Sequence, residues 1–301
     1  SKMANERVEK VEDVMNIGDT VPFKSTATFE GMANYETYKV VITDIMAKGL
    51  TYNNDMTITI NGQPCTTGFT IKVEEDYESD DEYKGGTVIT VTFDNIKGLN
   101  GVENSAEIVL NYTAILNEDA NFGAAGNPNK IKATTKPDGT GETPWDVNIV
   151  FTYKLESNKY AEEVKAGNEL TGAGFTLYKK GVDGSYAPIG EELKGEAMTT
   201  FTWKGLDDGD YKLVETTVPE GYNALADVLF TISATHEENA VDPKLLSLDG
   251  GVMGTGVVDT GIITKDIVNQ TGTVLPETGA RGTFMMISIS TMVVLVAVVF
   301  M

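Results

Sequence analysis

Short runs of strict apolar–polar alternation, broken by Gly, Asn and Asp, recur from one end of the chain to the other. "MTITINGQ", "GTVITVTFDN", "AEIVLNYTAIL", "NIVFTYKLESNKY", "AGFTLYKK" and "DYKLVETT" are the clearest. A period of two sends alternate side chains to opposite faces of a pleated strand. Thr, Val, Ile, Tyr and Phe dominate these runs, as a half-buried sheet surface favours. Little of the sequence carries a helical period. The expected fold class is all-β, with antiparallel sandwiches as the architecture.

The 301 residues are enough for two domains that each bury a core. The stretch "KATTKPDGTGETPWD" reads as a linker, being rich in Pro, Gly, Thr and Asp. The division expected is a first domain over 1–135, a linker over 136–147 and a second domain over 148–270. A polar spacer over 271–283 follows, and then an apolar segment over 284–301. That last segment has no charged residue and its eighteen positions reach the low end of a membrane-spanning helix. The formal charge of -22 argues against nucleic acid as a partner. Cys65 is the only cysteine, so no intrachain disulfide can form, and His236 is the only histidine. Ser-His or Cys-His catalysis and a His-rich metal site are therefore not expected, and His236 is expected in a surface loop beside Glu237 and Glu238. No cofactor and no metal site is expected. An acidic run such as "DYESDDEY" has no calcium-loop spacing and reads as a solvated loop.

The same parity puts several polar residues on inward faces. Tyr211 and Leu213 share a face with Glu215. Ile149, Phe151, Tyr153 and Leu155 share one with Ser157 and Lys159. Ile263 and Ile267 share one with Asn269, although Lys265 falls on it too. In the first domain Val8 goes with Lys10, Tyr38, Val40 and Ile42 with Asp44, and Ile131 and Ala133 with Asn129. Burying an unpaired charge is costly. Spacing alone leaves open a buried salt bridge, or sheet-end side chains that reach water.

Two sets of motifs carry a resemblance. Leu275-Pro276-Glu277-Thr278-Gly279 followed by an apolar terminus resembles the cell-wall sorting signal of Gram-positive surface proteins. That resemblance implies a sortase as partner, cleavage between Thr278 and Gly279, and transfer of the Thr278 carbonyl to an amine of peptidoglycan or of another subunit. It also implies a signal peptide and a basic tail. Neither is visible, so both ends are expected to be clipped. "GLDDGDYKLVETTVPEGY" resembles the E-box of CnaB-like domains in sortase-assembled pilins, through Tyr211, Leu213, Glu215, Thr216, Pro219, Gly221 and Tyr222. "LTGAGFTLYKK" is similar to another run of that family. "NIGDTVPFKSTATF" and "YKVVITDIMAKGLTYN" resemble the middle domain of pilin backbone subunits.

These likenesses imply two immunoglobulin-like, CnaB-type domains, each closed by an amide between a first-strand Lys and a last-strand Asn. The implied bonds are Lys159 to Asn269, with Glu215 as catalyst, and Lys10 to Asn129, with Asp44 as the favoured acid. Glu74, Glu75 and Glu107 are rival acids; parity turns Glu107 outward. The implied chemistry is an amine made neutral by an apolar site, and an acid that hydrogen-bonds the Asn carbonyl and then shuttles protons as ammonia leaves. A crosslink around nearly a whole domain stabilises by roughly 4 to 5 kcal/mol on the chain-entropy model. Turnover is single and intramolecular, so no enzyme is expected. The implied role is the shaft subunit of a covalently polymerised cell-surface pilus, with other pilin subunits and the wall as partners and the apolar tail as a transient membrane tether. The alternative is a non-polymerising wall-anchored adhesin or minor pilin that meets host surface molecules. No Tyr-Pro-Lys acceptor motif is present; an acceptor lysine is expected upstream of Ser1. A wall-anchored enzyme is a third reading, disfavoured by the lone histidine and the lack of a nucleophile motif; paired carboxylates remain open to it.

Overall fold

The computed structural model describes residues 2–6, 16–135, 141–237 and 243–272. Lys10, the LPETG stretch and the apolar segment over 284–301 lie outside them. In chain order the strands are β1 (Lys2–Glu6), β2 (Thr20–Phe29), β3 (Val40–Met46), β4 (Leu50–Tyr52), β5 (Thr57–Ile60), β6 (Gln63–Pro64), β7 (Thr70–Glu74), β8 (Thr87–Phe93), β9 (Ala106–Leu116), β10 (Asn127–Thr135) and β11 (Gly141–Glu142). They continue with β12 (Asp146–Val150), β13 (Tyr153–Ala161), β14 (Gly174–Lys180), β15 (Tyr186–Pro188), β16 (Leu193–Lys194), β17 (Thr200–Leu206), β18 (Gly209–Thr217), β19 (Val228–His236), β20 (Leu245–Asp249) and β21 (Ile262–Asn269). No helix among the described residues is long and apolar enough to cross a membrane.

The strands make two β-sandwiches in tandem. In the first, the sheet β1-β2-β9-β5-β6, with β4 also on β9, faces the sheet β11-β10-β3-β8-β7, with β12 also on β10. Alternation drives this layering. Along β2, Val21, Phe23, Ser25, Ala27 and Phe29 are buried, and the residues between them are half-exposed. They pack on Ile42, Val91, Ile108, Leu110 and Ile131 in one core. In the second domain a three-stranded sheet, β17-β13-β21, faces β15-β14-β18-β19-β20, with β16 also on β14. Its separate core includes Tyr153, Leu155, Phe175, Phe201, Trp203 and Leu213.

Two features depart from the sequence reading. Residues 141–150, divided there between linker and second domain, bond to the first: β11 and β12 both pair with β10. Val150 belongs to the first core and Phe151 to the second. Second, the described strands pair antiparallel throughout, except that β13 runs parallel to β21. Parallel neighbours need a long crossover, and here almost the whole second domain supplies it.

The outer face of β10 also differs from a plain solvated surface. Lys130 pairs with Asp80 and lies 4.0 Å from the centre of the Tyr83 ring. Lys132 pairs with Glu142 and lies 4.7 Å from Trp145. Asp80 caps a 3₁₀ turn whose Tyr83 is buried, so part of the acidic run that read as a solvated loop packs on the sheet. His236 closes β19 half-buried, its ring 5.9 Å from Phe151, and so is not a loop residue.

The joint between the domains is tight. Gly123 N–H donates to the Thr152 carbonyl at 3.1 Å and Ala124 N–H to the Val258 carbonyl at 2.8 Å. Gly261 has φ +66°, and a Cβ there would lie 2.3 Å from the backbone nitrogen of Gly123. Gly261→Val is therefore expected to part these loops. Overpacking costs roughly 1–3 kcal/mol, so amide exchange at Gly123 and Ala124 should quicken about tenfold or more while both cores keep their protection.

Candidate functional site

In the second domain the inward parity of three strands converges on one buried cluster. β13 carries Lys159 two positions beyond Ser157 and four beyond Leu155, all fully buried. The parallel register sets Lys159 opposite Ile267 and Ala161 opposite Asn269, so Lys159 and Asn269 are diagonal neighbours on one face. Glu215 projects from β18 in the facing sheet. The Lys159 and Glu215 side chains have no solvent exposure, and their charged atoms stand 3.5 Å apart.

The hydrogen bonds orient the cluster. Lys159 Nζ donates to Asn269 Oδ1. Asn269 Nδ2 donates to Glu215 Oε1 at 2.9 Å and Oε2 at 3.1 Å, and to the Asn223 carbonyl at 3.0 Å. Leu225 N–H donates to Glu215 Oε2 at 3.0 Å. Burial pushes the Lys159 amine below the ordinary lysine range, partly opposed by the neighbouring Glu215 carboxylate. The placement of the acid differs from the expected one. Glu215 engages the amide nitrogen and not the carbonyl oxygen, so it sits on the atom that must leave if the carboxamide is attacked.

A loop that the sequence reading left without a role closes this site. Residues 218–225 fold over it, and Asn223 and Leu225 contribute backbone groups. Tyr222 N–H donates to the Pro219 carbonyl and Gly221 has φ +85°. A turn of this kind needs positive φ at its third position, which explains a glycine there. The signal was present in the Pro219-Glu220-Gly221-Tyr222 spacing.

In the first domain two of the three expected residues meet. Asp44 on β3 and Asn129 on β10 are buried, and Asn129 Nδ2 donates to Asp44 Oδ1 at 2.7 Å. Tyr112, from β9 in the facing sheet, donates its hydroxyl to Asp44 Oδ2. Burial raises the Asp44 carboxyl to about 7, against the opposing effect of its bonds from Tyr112 and Asn129. The rival acids stand elsewhere: Glu74, Glu75 and Glu107 are exposed. Cys65 is buried and free, its Sγ 3.2 Å from the Thr67 carbonyl. Among the described residues, no group of three or more His, Cys, Asp or Glu is placed to hold a metal.

Each domain matches a protein-family description. Residues 17–137 match the Gram-positive pilin backbone subunit 2, Cna-B-like domain. The first domain is a Gram-positive pilin backbone domain. Residues 154–244 match SpaA, a prealbumin-like fold domain, so the chain places two CnaB-like domains in tandem. Solved structures share the fold. A three-domain backbone pilin of Streptococcus pyogenes aligns at TM-score 0.63 and 18% identity, over 90% of this chain and 70% of its own. The 35 kDa C-terminal fragment of a Streptococcus agalactiae major pilin aligns at TM-score 0.59 and 19% identity, over 89% of this chain and 100% of its own. A Corynebacterium diphtheriae major pilin, described in terms of modular pilus assembly and stabilizing isopeptide bonds, aligns at TM-score 0.56 and 14% identity, over 89% of this chain and 68% of its own. A search of curated proteins returned no match.

Proposed function

We propose that this chain is a structural shaft subunit of a covalently polymerised pilus on the surface of a Gram-positive cell. The observation that carries the reading is a lysine amine enclosed with an asparagine carboxamide and a carboxylate, with no solvent reaching either charged side chain. Such an arrangement is costly as a salt bridge alone and apt for one reaction. Glu215 takes a proton from Lys159, leaving a neutral amine beside a neutral acid. The amine attacks Asn269 Cγ, the new C–N bond forms and the Cγ–Nδ2 bond breaks. Nδ2 leaves as ammonia, carrying a proton relayed through Glu215. Folding supplies the proximity, so no cofactor is needed. The chain is a single-turnover reactant and not an enzyme.

In the first domain Lys10 and Asn129 form the equivalent bond with Asp44 as the proton relay. Sortase joins the Thr278 carbonyl to a lysine of a neighbouring subunit or to peptidoglycan, and the apolar segment tethers the precursor to the membrane until then. The pilin-domain matches and the isopeptide bonds named for a structural neighbour support this reading.

Intact mass is the direct test. The folded chain should weigh two ammonia molecules less than its sequence, and peptide mapping should recover Lys159 joined to Asn269 and Lys10 joined to Asn129. A mass equal to the plain sequence would rule out both bonds.

A further inference from the structure

Asp44 and Glu215 are built into their domains differently. Glu215 faces its lysine and asparagine from the opposite sheet, and a backbone N–H, that of Leu225, holds one of its oxygens. Asp44 lies in the same sheet as Asn129, on the adjacent strand. Its Oδ2 is held by a phenol from across the sandwich. That phenol is itself fixed. The Tyr112 ring stacks on Phe23 with centres 5.4 Å apart and planes 12° apart, and Tyr52 meets its edge at 6.1 Å. The Tyr112 hydroxyl also hydrogen-bonds with the side chains of Ser25 and Asn129. All four polar residues are buried.

We propose that Tyr112 is a positioning residue for amide formation in the first domain, pinning one Asp44 oxygen so that the other stays on the leaving nitrogen of Asn129. This rests on the crosslinking reading above and does not depend on which amine attacks. The reaction it serves is balanced as before: amine and carboxamide give amide and ammonia, with one proton passing through Asp44. A bond from Tyr112 also stabilises the ionised carboxylate, the form that accepts a proton. Without that bond the carboxyl holds its proton to higher pH. Among the described residues, the polar side chains that face Asp44 or its phenol are Tyr112 from β9, Tyr52 from β4, Asn129 from β10 and Ser25 from β2. Among the described residues, the titratable groups that interact with Asp44 are the two tyrosines.

The test uses the full chain made by cell-free synthesis and chased at set pH, with time-resolved mass and peptide mapping for each domain. Tyr112→Phe keeps the ring stack and removes the hydroxyl. It is expected to slow ammonia loss from the first domain about tenfold at pH 7. It should also move the rising limb of that domain's pH–rate profile up by about one to two pH units, the worth of a hydrogen bond to a charged group. Ammonia loss from the second domain should keep its rate. Ser25→Ala, which removes a partner of the phenol, should move the limb the same way by less, and provides the reading if Tyr112→Phe does not fold. First-domain rates and midpoints unchanged in both variants would overturn the role of Tyr112 and leave the crosslink standing. A wild-type chain that loses no ammonia from the first domain would overturn the crosslink there and this role with it.

Discussion

Replacing Glu215 by glutamine is expected to prevent the proposed Lys159–Asn269 crosslink and to lower the unfolding midpoint of the second domain by about 20 °C. Gln keeps the shape of the side chain and cannot relay the proton from Lys159 to Asn269 Nδ2. The missing bond would have closed a loop from 159 to 269. On the chain-entropy model such a loop contributes roughly 4–5 kcal/mol. For a domain of this size each kcal/mol moves the midpoint by about 4 °C. Glu215→Gln also strands Lys159 in the core without a counter-charge. Its depressed pKa then becomes a pH dependence. The unfolded chain binds a proton that the folded chain excludes, so stability should climb as pH rises towards the ordinary lysine value. Lys159→Met removes both the bond and the stranded amine. It should lose the crosslink equally, unfold above Glu215→Gln, and show no such climb. Calorimetry with intact mass on the same samples decides it. A Glu215→Gln chain that still lacks two ammonias and unfolds at the wild-type midpoint would refute the assigned role.

Asp44 gives the second large effect, with the opposite sign. Its carboxyl is raised from 3.8 to about 7 by burial. Between those values the folded chain binds a proton that the unfolded chain has released. Stability is therefore full below the unfolded value and falls as pH rises to the folded one. A tenfold difference in proton affinity corresponds to about 1.4 kcal/mol, so the first domain should lose about 4 kcal/mol from pH 4 to pH 7. The comparison is best made in a Lys10→Ala background, where the first domain unfolds without a crosslink. Urea midpoints of that domain should drop across this interval. Adding Asp44→Asn should flatten the profile. A Lys10→Ala chain whose first domain is equally stable at both pH values would contradict the buried, protonated carboxyl.

Much of this arrangement is legible locally. In a strand a polar residue on the inward parity stands out without any knowledge of its partners. Lys159, Asn269 and Glu215 meet in one cluster, and Asp44 meets Asn129, at positions that parity alone turns inward. What parity cannot say is which inward residue of one sheet meets which of the other. Tyr112 alternates with Leu110 and Ala114 and looks like any core aromatic. Its meeting with Asp44 depends on how two sheets stack, a relation between residues 68 apart in the chain. The boundary at 150 is hidden for a related reason. Ile149, Phe151 and Tyr153 keep one unbroken period, so "NIVFTYKL" reads as one strand. The chain instead breaks at Thr152, whose hydroxyl turns to the Leu206 carbonyl as the backbone crosses between domains. In the closing loop over 218–225 the turn is legible in the Pro219–Tyr222 spacing, but what it covers is not, because it acts through backbone groups that any residue carries.

The parallel pairing of β13 with β21 has one more consequence. Both strands run away from the joint, so Lys159 and Asn269 come together where the chain leaves the domain. With the amide formed, an unbroken covalent route passes from Tyr153 to Lys159 and directly to Asn269. Residues 160–268 become a closed side branch. A protease that cuts any of the exposed loops in that branch, such as those around Val164 or Val182, nicks the domain and leaves the covalent route through it in one piece. Only the short stretches outside the branch carry continuity, and in the second domain these lie mainly in β13, the middle strand of its sheet.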